Sequence, residues 1–142
     1  MLDYHVDSVR RLVVTRAIGH VTVTEVANHI IRLMCDPTFK PDLNAMIIAA
    51  DVNAVPSAME IAAIGPLVRA WSRRRVGAKW AFVLPNRATR DFVESVLAAA
   101  RLPSVSTRCF TSEDAALEWL DPGQATLAAP ATKPAGAESA LA

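Results

Sequence analysis

The chain is poor in glycine, cysteine and histidine, and it has no long apolar run. Five glycines fall in 142 residues, and only Gly19, Gly65 and Gly77 precede residue 121. That scarcity excludes a P-loop and a dinucleotide-binding turn, both of which need clustered glycines for close backbone approach to phosphate. Cys35 and Cys109 lie far apart and neither belongs to a Cys-x-x-Cys pair, so no zinc framework or redox dithiol is present. Both sit among apolar residues and read as free, buried thiols in a reducing compartment. His5, His20 and His29 do not follow a metal-ligand spacing, and no nucleophile motif stands out. No metal, cofactor or catalytic residue is expected. The longest apolar candidate, 58–71, has 14 residues and contains Glu60 and Arg69, short of the about 18 needed to suggest a membrane span.

Charge of either sign is also not in excess. The formal net charge is +1, which does not suggest a nucleic-acid binder. The local distribution is less even. Between Glu60 and Asp91 there is no acid but seven bases: Arg69, Arg73, Arg74, Arg75, Lys79, Arg87 and Arg90. Arg73, Arg74 and Arg75 read as a solvated cluster at a helix C-terminus, where the dipole favours cations. The first residues lack the basic and apolar regions of a signal peptide, so a cytoplasmic protein is expected.

What is present is an apolar fraction of 52%, arranged in periodic segments. Segments around 2–7 and 11–17 predict an antiparallel hairpin. Thr22 and Glu25 form a capping box, followed at helical spacing by Val23, Val26, Ala27, Ile30, Ile31 and Met34. Glu25, His29, Arg32 and Asp36 form the opposite, polar face. Pro37 and Pro41 close this helix. The run Ala45–Ala50 reads as an interior strand covered on both faces. Ser57 and Glu60 open a second helix to about Arg75, which Gly65-Pro66 should bend or divide. Trp80–Leu84 is a further strand, and Asn86 caps a helix that buries Phe92, Val93, Val96 and Leu97. Val105–Phe110 suits an edge strand, and Thr111 with Asp114 reads as the capping box of a last short helix.

The fold expected is therefore α/β: an N-terminal β-hairpin, then alternating α/β units. They build a five-stranded, mixed but mainly parallel sheet covered by about four helices. Residues 1–120 form the domain. Residues 121–142, rich in Ala and Pro with few large apolar side chains, read as a flexible tail.

Five stretches in this order resemble the SpoIIAA-like, or STAS, domain family, which is related in fold to the CRAL-TRIO domain. They are Gly19 to Glu25, Asp36-Pro37-Thr38-Phe39 and Ile47 to Asp51, then Trp80-Ala81-Phe82-Val83 with Arg90-Asp91-Phe92. The last is Phe110 with Glu113 to Leu120. The resemblance implies a small non-enzymatic module that works by regulation or binding. Anti-sigma-factor antagonists of this fold are phosphorylated on a Ser opening the helix after the central strand. Ser57 stands closest to that place, within Ala54-Val55-Pro56-Ser57-Ala58-Met59-Glu60 rather than the antagonists' Asp-Ser-Ser/Thr-Gly.

Three candidate sites follow. Asp51, Asn53 and Ser57 form a phosphosite or ligand edge where strand carboxyl ends gather. Asn86, Arg87 and Arg90 form a candidate anion site at a helix N-terminus. Met59, Ala63, Leu67 and Ala70 form a candidate interface, because the helix carrying them is apolar nearly all round and one sheet covers only one side. The function expected is protein association, including a homodimer through that helix. The alternative is a small apolar or lipid-like ligand held between helix 57–75 and the sheet.

Overall fold

Alternating strand and helix segments after a hairpin leave few topologies, and the one adopted is the simplest. The computed structural model describes residues 1–52 and 57–121. Its elements are β1 (Leu2–Asp7), β2 (Leu12–Gly19), α1 (Val23–Cys35), β3 (Asn44–Val52) and α2 (Ala58–Ser72). They continue as β4 (Lys79–Val83), α3 (Arg87–Ala100), β5 (Ser106–Phe110) and α4 (Glu113–Leu120). The five strands lie in the order β1-β2-β3-β4-β5. β1 pairs antiparallel with β2, and β2 through β5 are parallel. This is the expected α/β layout, with the apolar strand β3 at the centre and β5 on an edge. Of the predicted tail, 121–142, all but Asp121 lies outside the described residues. Among the described residues, no helix is long and apolar enough to cross a membrane.

Right-handed crossovers between consecutive parallel neighbours put every connecting helix on one face of the sheet. Leu33 of α1 and Trp71 of α2 accordingly pack with Val13, Ala45 and Trp80, and Val93 of α3 packs against Ala17, Ala49 and Leu84. The alternate residues Leu12, Val14, Met46, Ile48, Ala81 and Val83 meet Ala116 and Leu120 of α4 on the other face. The period of two along β2, β3 and β4 thus supplies two cores.

Helix ends follow local chemistry with one exception. Thr22 with Glu25 and Ser57 with Glu60 form complete capping boxes, and Asn86 caps α3. The last cap is Ser112, whose side chain accepts from Ala115 N–H, not the predicted Thr111 with Asp114. Two adjacent hydroxyls compete there, and the helix starts one residue later. Gly65-Pro66 does not divide α2, which runs unbroken to Ser72 rather than Arg75. Pro66 removes one N–H, but Pro66 and Ala62 are both exposed, so water can reach the freed Ala62 carbonyl.

Arg75 overturns the expectation of a solvated arginine run. Arg73 and Arg74 are exposed, but Arg75 is only 2% exposed. Its Nε donates to the Pro41 carbonyl at 2.9 Å, and one Nη donates to the Leu43 carbonyl. The guanidinium lies 4.9 Å from the Phe39 ring centre, 5.6 Å from Trp71 and 5.8 Å from Trp80. A planar fork can serve two carbonyls while stacking on rings, which a lysine cannot. Burial lowers its pKa to about 10, so it remains a cation at neutral pH. One side chain thus ties the end of α2 to the loop after α1 and to the start of β3.

Removing this side chain leaves two carbonyls without a donor. Arg75→Met is expected to cost about 3 kcal/mol and Arg75→Lys about 2 kcal/mol. Urea unfolding checks this as a lower midpoint at unchanged slope. A wild-type midpoint in Arg75→Met would contradict the assignment.

Candidate functional site

The largest departure from the sequence pattern lies in α1. Its apolar positions predict that Ile31 and Met34 join the core and that Glu25, His29, Arg32 and Asp36 face water. The structure turns the helix part of the way round: Leu33 and Ile30 stay with the core, while Glu25, His29 and Asp36 become half-buried. Met1 ammonium lies 2.7 Å from Glu25. His29 Nε2 shares a hydrogen bond of 3.2 Å with Thr15 Oγ1 in β2. Arg32 donates to the Leu2 carbonyl at 2.7 Å, and the Tyr4 hydroxyl donates to the Asp36 carboxylate at 2.7 Å. Residues 25, 29, 32 and 36 share one side of a helix. The stripe read as solvated is therefore the set of anchors that fastens α1 to the hairpin.

Fastening that side leaves the other without cover. Leu33 is buried, but Ile31 is 55% exposed and Met34 51% exposed. Cys35, expected to be a buried thiol, is exposed as well.

On the far side, α2 lies close against α3 through small residues. A Cβ added at the buried Gly65 would sit 3.8 Å from Ala99 Cβ and 3.8 Å from Ala100 N, an ordinary contact distance. Ile64 and Trp71 of α2 are buried, so the helix's own side chains occupy its inner side.

An apolar groove of about 250 Å³ remains between α1 and α2. Ile30, Ile31 and Met34 line it from α1; Leu67, Ala70 and Trp71 line it from α2. Its one charged lining residue is Arg74, just past the end of α2. Of the predicted interface set, Leu67 and Ala70 line the groove, and Met59 and Ala63 are exposed farther toward the start of α2. Sequence periodicity missed the α1 half, Ile31 and Met34.

The two other candidate sites sit at the carboxyl ends of the parallel strands. Ligand crevices form there when the strand order reverses and neighbouring helices leave to opposite faces. This sheet has no reversal. Asp51 lies near the end of β3, in register with Ile18 of β2, and Asn53 lies outside the described residues. Ser57 is exposed, with its Oγ accepting from Glu60 N–H at 3.2 Å and its own N–H donating to Glu60 at 2.9 Å. His20 Nε2 lies 3.3 Å from the same carboxylate. The Ser57 N–H bond and then His20 hold the Glu60 pKa below its usual value.

At α3, Asn86 Oδ1 already accepts from Ala88 and Thr89 N–H at 2.8 and 3.3 Å. An anion between Arg87 and Arg90 would need those donors. Ser57 and Asn86 therefore act as helix caps.

Cys109 is a weak nucleophile, because burial raises its thiol pKa. No three His, Cys, Asp or Glu side chains gather as a metal cluster among the described residues. Comparison with protein-family models, curated proteins and solved structures finds no match.

The anchoring stripe has a pH signature. His29 is largely buried, its Nδ1 has no hydrogen-bond partner, and Tyr4 meets it edge-on at 5.5 Å. Burial first, then the charges of Arg32 and Arg75, push its pKa down from 6.5 to about 4. The folded chain therefore favours the neutral ring. Its contribution is complete above pH 6.5 and is lost as pH falls toward 4, a change of about 3 kcal/mol. Glu25 and Asp36 also have lowered pKa values, so their losses come at the acid end of that window and below it. Urea unfolding from pH 7 to pH 4.5 is expected to show a steep loss that His29→Gln largely removes. An equal loss in His29→Gln would contradict the buried neutral ring.

Proposed function

We propose that the chain is a non-catalytic, cytoplasmic binding module of the SpoIIAA/STAS-like type, acting by protein association through the α1–α2 face. The family part of this reading rests on the ordered sequence resemblance and is supported by the hairpin-then-alternating layout. The binding part rests on one observation, the open apolar groove between α1 and α2. Ile31, Met34 and Met59, among the exposed large apolar side chains, lie on these two helices. Exposed apolar surface clustered on one face marks interaction sites more often than scattered residues do. Flexible methionines on such a surface adapt to a partner's shape. The groove's volume of about 250 Å³ lies below the roughly 300–1,000 Å³ of small-ligand pockets. It suits inserted side chains better than an enclosed lipid.

Site-specific photo-crosslinking in the cells that make the protein tests this. A crosslinking residue in place of Met34 is expected to give a discrete adduct of higher mass. The same residue in place of Glu118, on α4 across the sheet, should give none. An adduct with a second copy or with another protein supports association through this face. No adduct at position 34, or adducts only at 118, would refute it.

A further inference from the structure

We infer that the groove takes an amphipathic helix of another protein, with acidic side chains at the end that meets Arg74 and Arg73. This rests on the binding reading above and specifies the partner's chemistry. Two neighbouring helices with an apolar trough between them form the seat used in helix-in-groove recognition, where residues at i, i+3, i+4 and i+7 fill the trough. Here the trough runs between Ile31 and Met34 on one side and Leu67 and Ala70 on the other.

Charge selects the occupant. The exposed positions of α1 besides Ile31 and Met34 are Thr24, Asn28 and Cys35, which are uncharged, and Arg32, which is turned to the Leu2 carbonyl of β1. The acids flanking α1 are already engaged: Glu25 with the Met1 ammonium and Asp36 with Tyr4 and Thr38. From residue 61 through residue 90 the chain contains no acid. Arg73 and Arg74 are exposed and make no ion pair with described side chains. The face is thus neutral along its length and positive at one end.

A second copy offers these arginines no free acid: laid parallel it sets the same cations together, and laid antiparallel it meets them with the starts of α1 and α2, where Glu25 and Glu60 are already engaged. A partner helix with Asp or Glu in a terminal turn satisfies both the trough and the arginines.

The probe is a displayed library of helix-forming peptides of about 16 residues, a little over four turns, selected on the full chain. Enriched clones should carry an apolar stripe and Asp or Glu near one end. They should fail to bind Ile31→Glu, whose exposed site leaves the fold intact. Arg73→Glu with Arg74→Glu should weaken acidic clones about tenfold or more and select Lys- or Arg-bearing clones instead.

Clones that require Ile31 but show no acidic preference and ignore the charge reversal would overturn the inference while leaving the binding face in place. Absence of any Ile31-dependent clone would overturn the inference, and the crosslink at position 34 would then decide the face itself. Ile31-dependent flotation with phosphatidylserine vesicles would assign the face to a membrane and overturn the inference. An Ile31-dependent doubling of mass in light scattering would do so in favour of a second copy.

Discussion

Four polar side chains on one side of α1 set how this molecule meets its surroundings. Glu25, His29, Arg32 and Asp36 reach back to the N-terminus, Thr15, the Leu2 carbonyl and Tyr4. Each bond is modest in net terms, about 1 kcal/mol for a neutral pair and more where a charge takes part. Together they hold the helix toward the hairpin, at the expense of burying Ile31 and Met34. A helix driven by apolar burial alone would turn those two residues inward. The exposed flank of α1 is thus a consequence of hydrogen bonding, and the groove beside α2 follows from it.

Topology supplies the other wall. Because β2 to β5 lie in chain order, α1, α2 and α3 share one face of the sheet and stand side by side. α2 approaches α3 across Gly65, Ala99 and Ala100, and Arg75 clamps the end of α2 to the loop before β3. These contacts fix α2 toward α3 while the anchors fix α1 toward β1. Held apart in this way, the two helices leave the groove between them open. The same strand order removes the reversal that opens crevices at strand carboxyl ends, and Ser57, Asn86 and Ser112 there serve as helix caps.

Much of the fold was legible because its signals are local. The boxes at Thr22 and Ser57 each need only four consecutive residues, and the run Ala45–Ala50 declares a strand covered on both faces. Periodicity also reveals that α1 has an apolar arc. It does not say which part of that arc faces the sheet, because the deciding partners, Tyr4 and Thr15, lie on other elements. Arg75 was hidden for a related reason. In sequence it is the third member of an arginine run, and only the Pro41 and Leu43 carbonyls, more than thirty residues away, distinguish it from Arg73 and Arg74. Leu67 and Ala70 were legible because α2 carries more apolar surface than one contact can use. Their counterparts on α1 were not, because their exposure depends on anchors that look like ordinary surface charges.

α1 presents Met34 to solvent instead of burying it. Peroxide oxidation followed by peptide mass spectrometry reads this directly, since thioether oxidation follows exposure. Met59 is 83% exposed and Met46 is 3% exposed, giving fast and slow references within the same chain. Met34 is expected to oxidise at a rate close to that of Met59 while Met46 lags well behind. Oxidation of Met34 as slow as that of Met46 would mean that the helix is turned inward and that the groove does not exist.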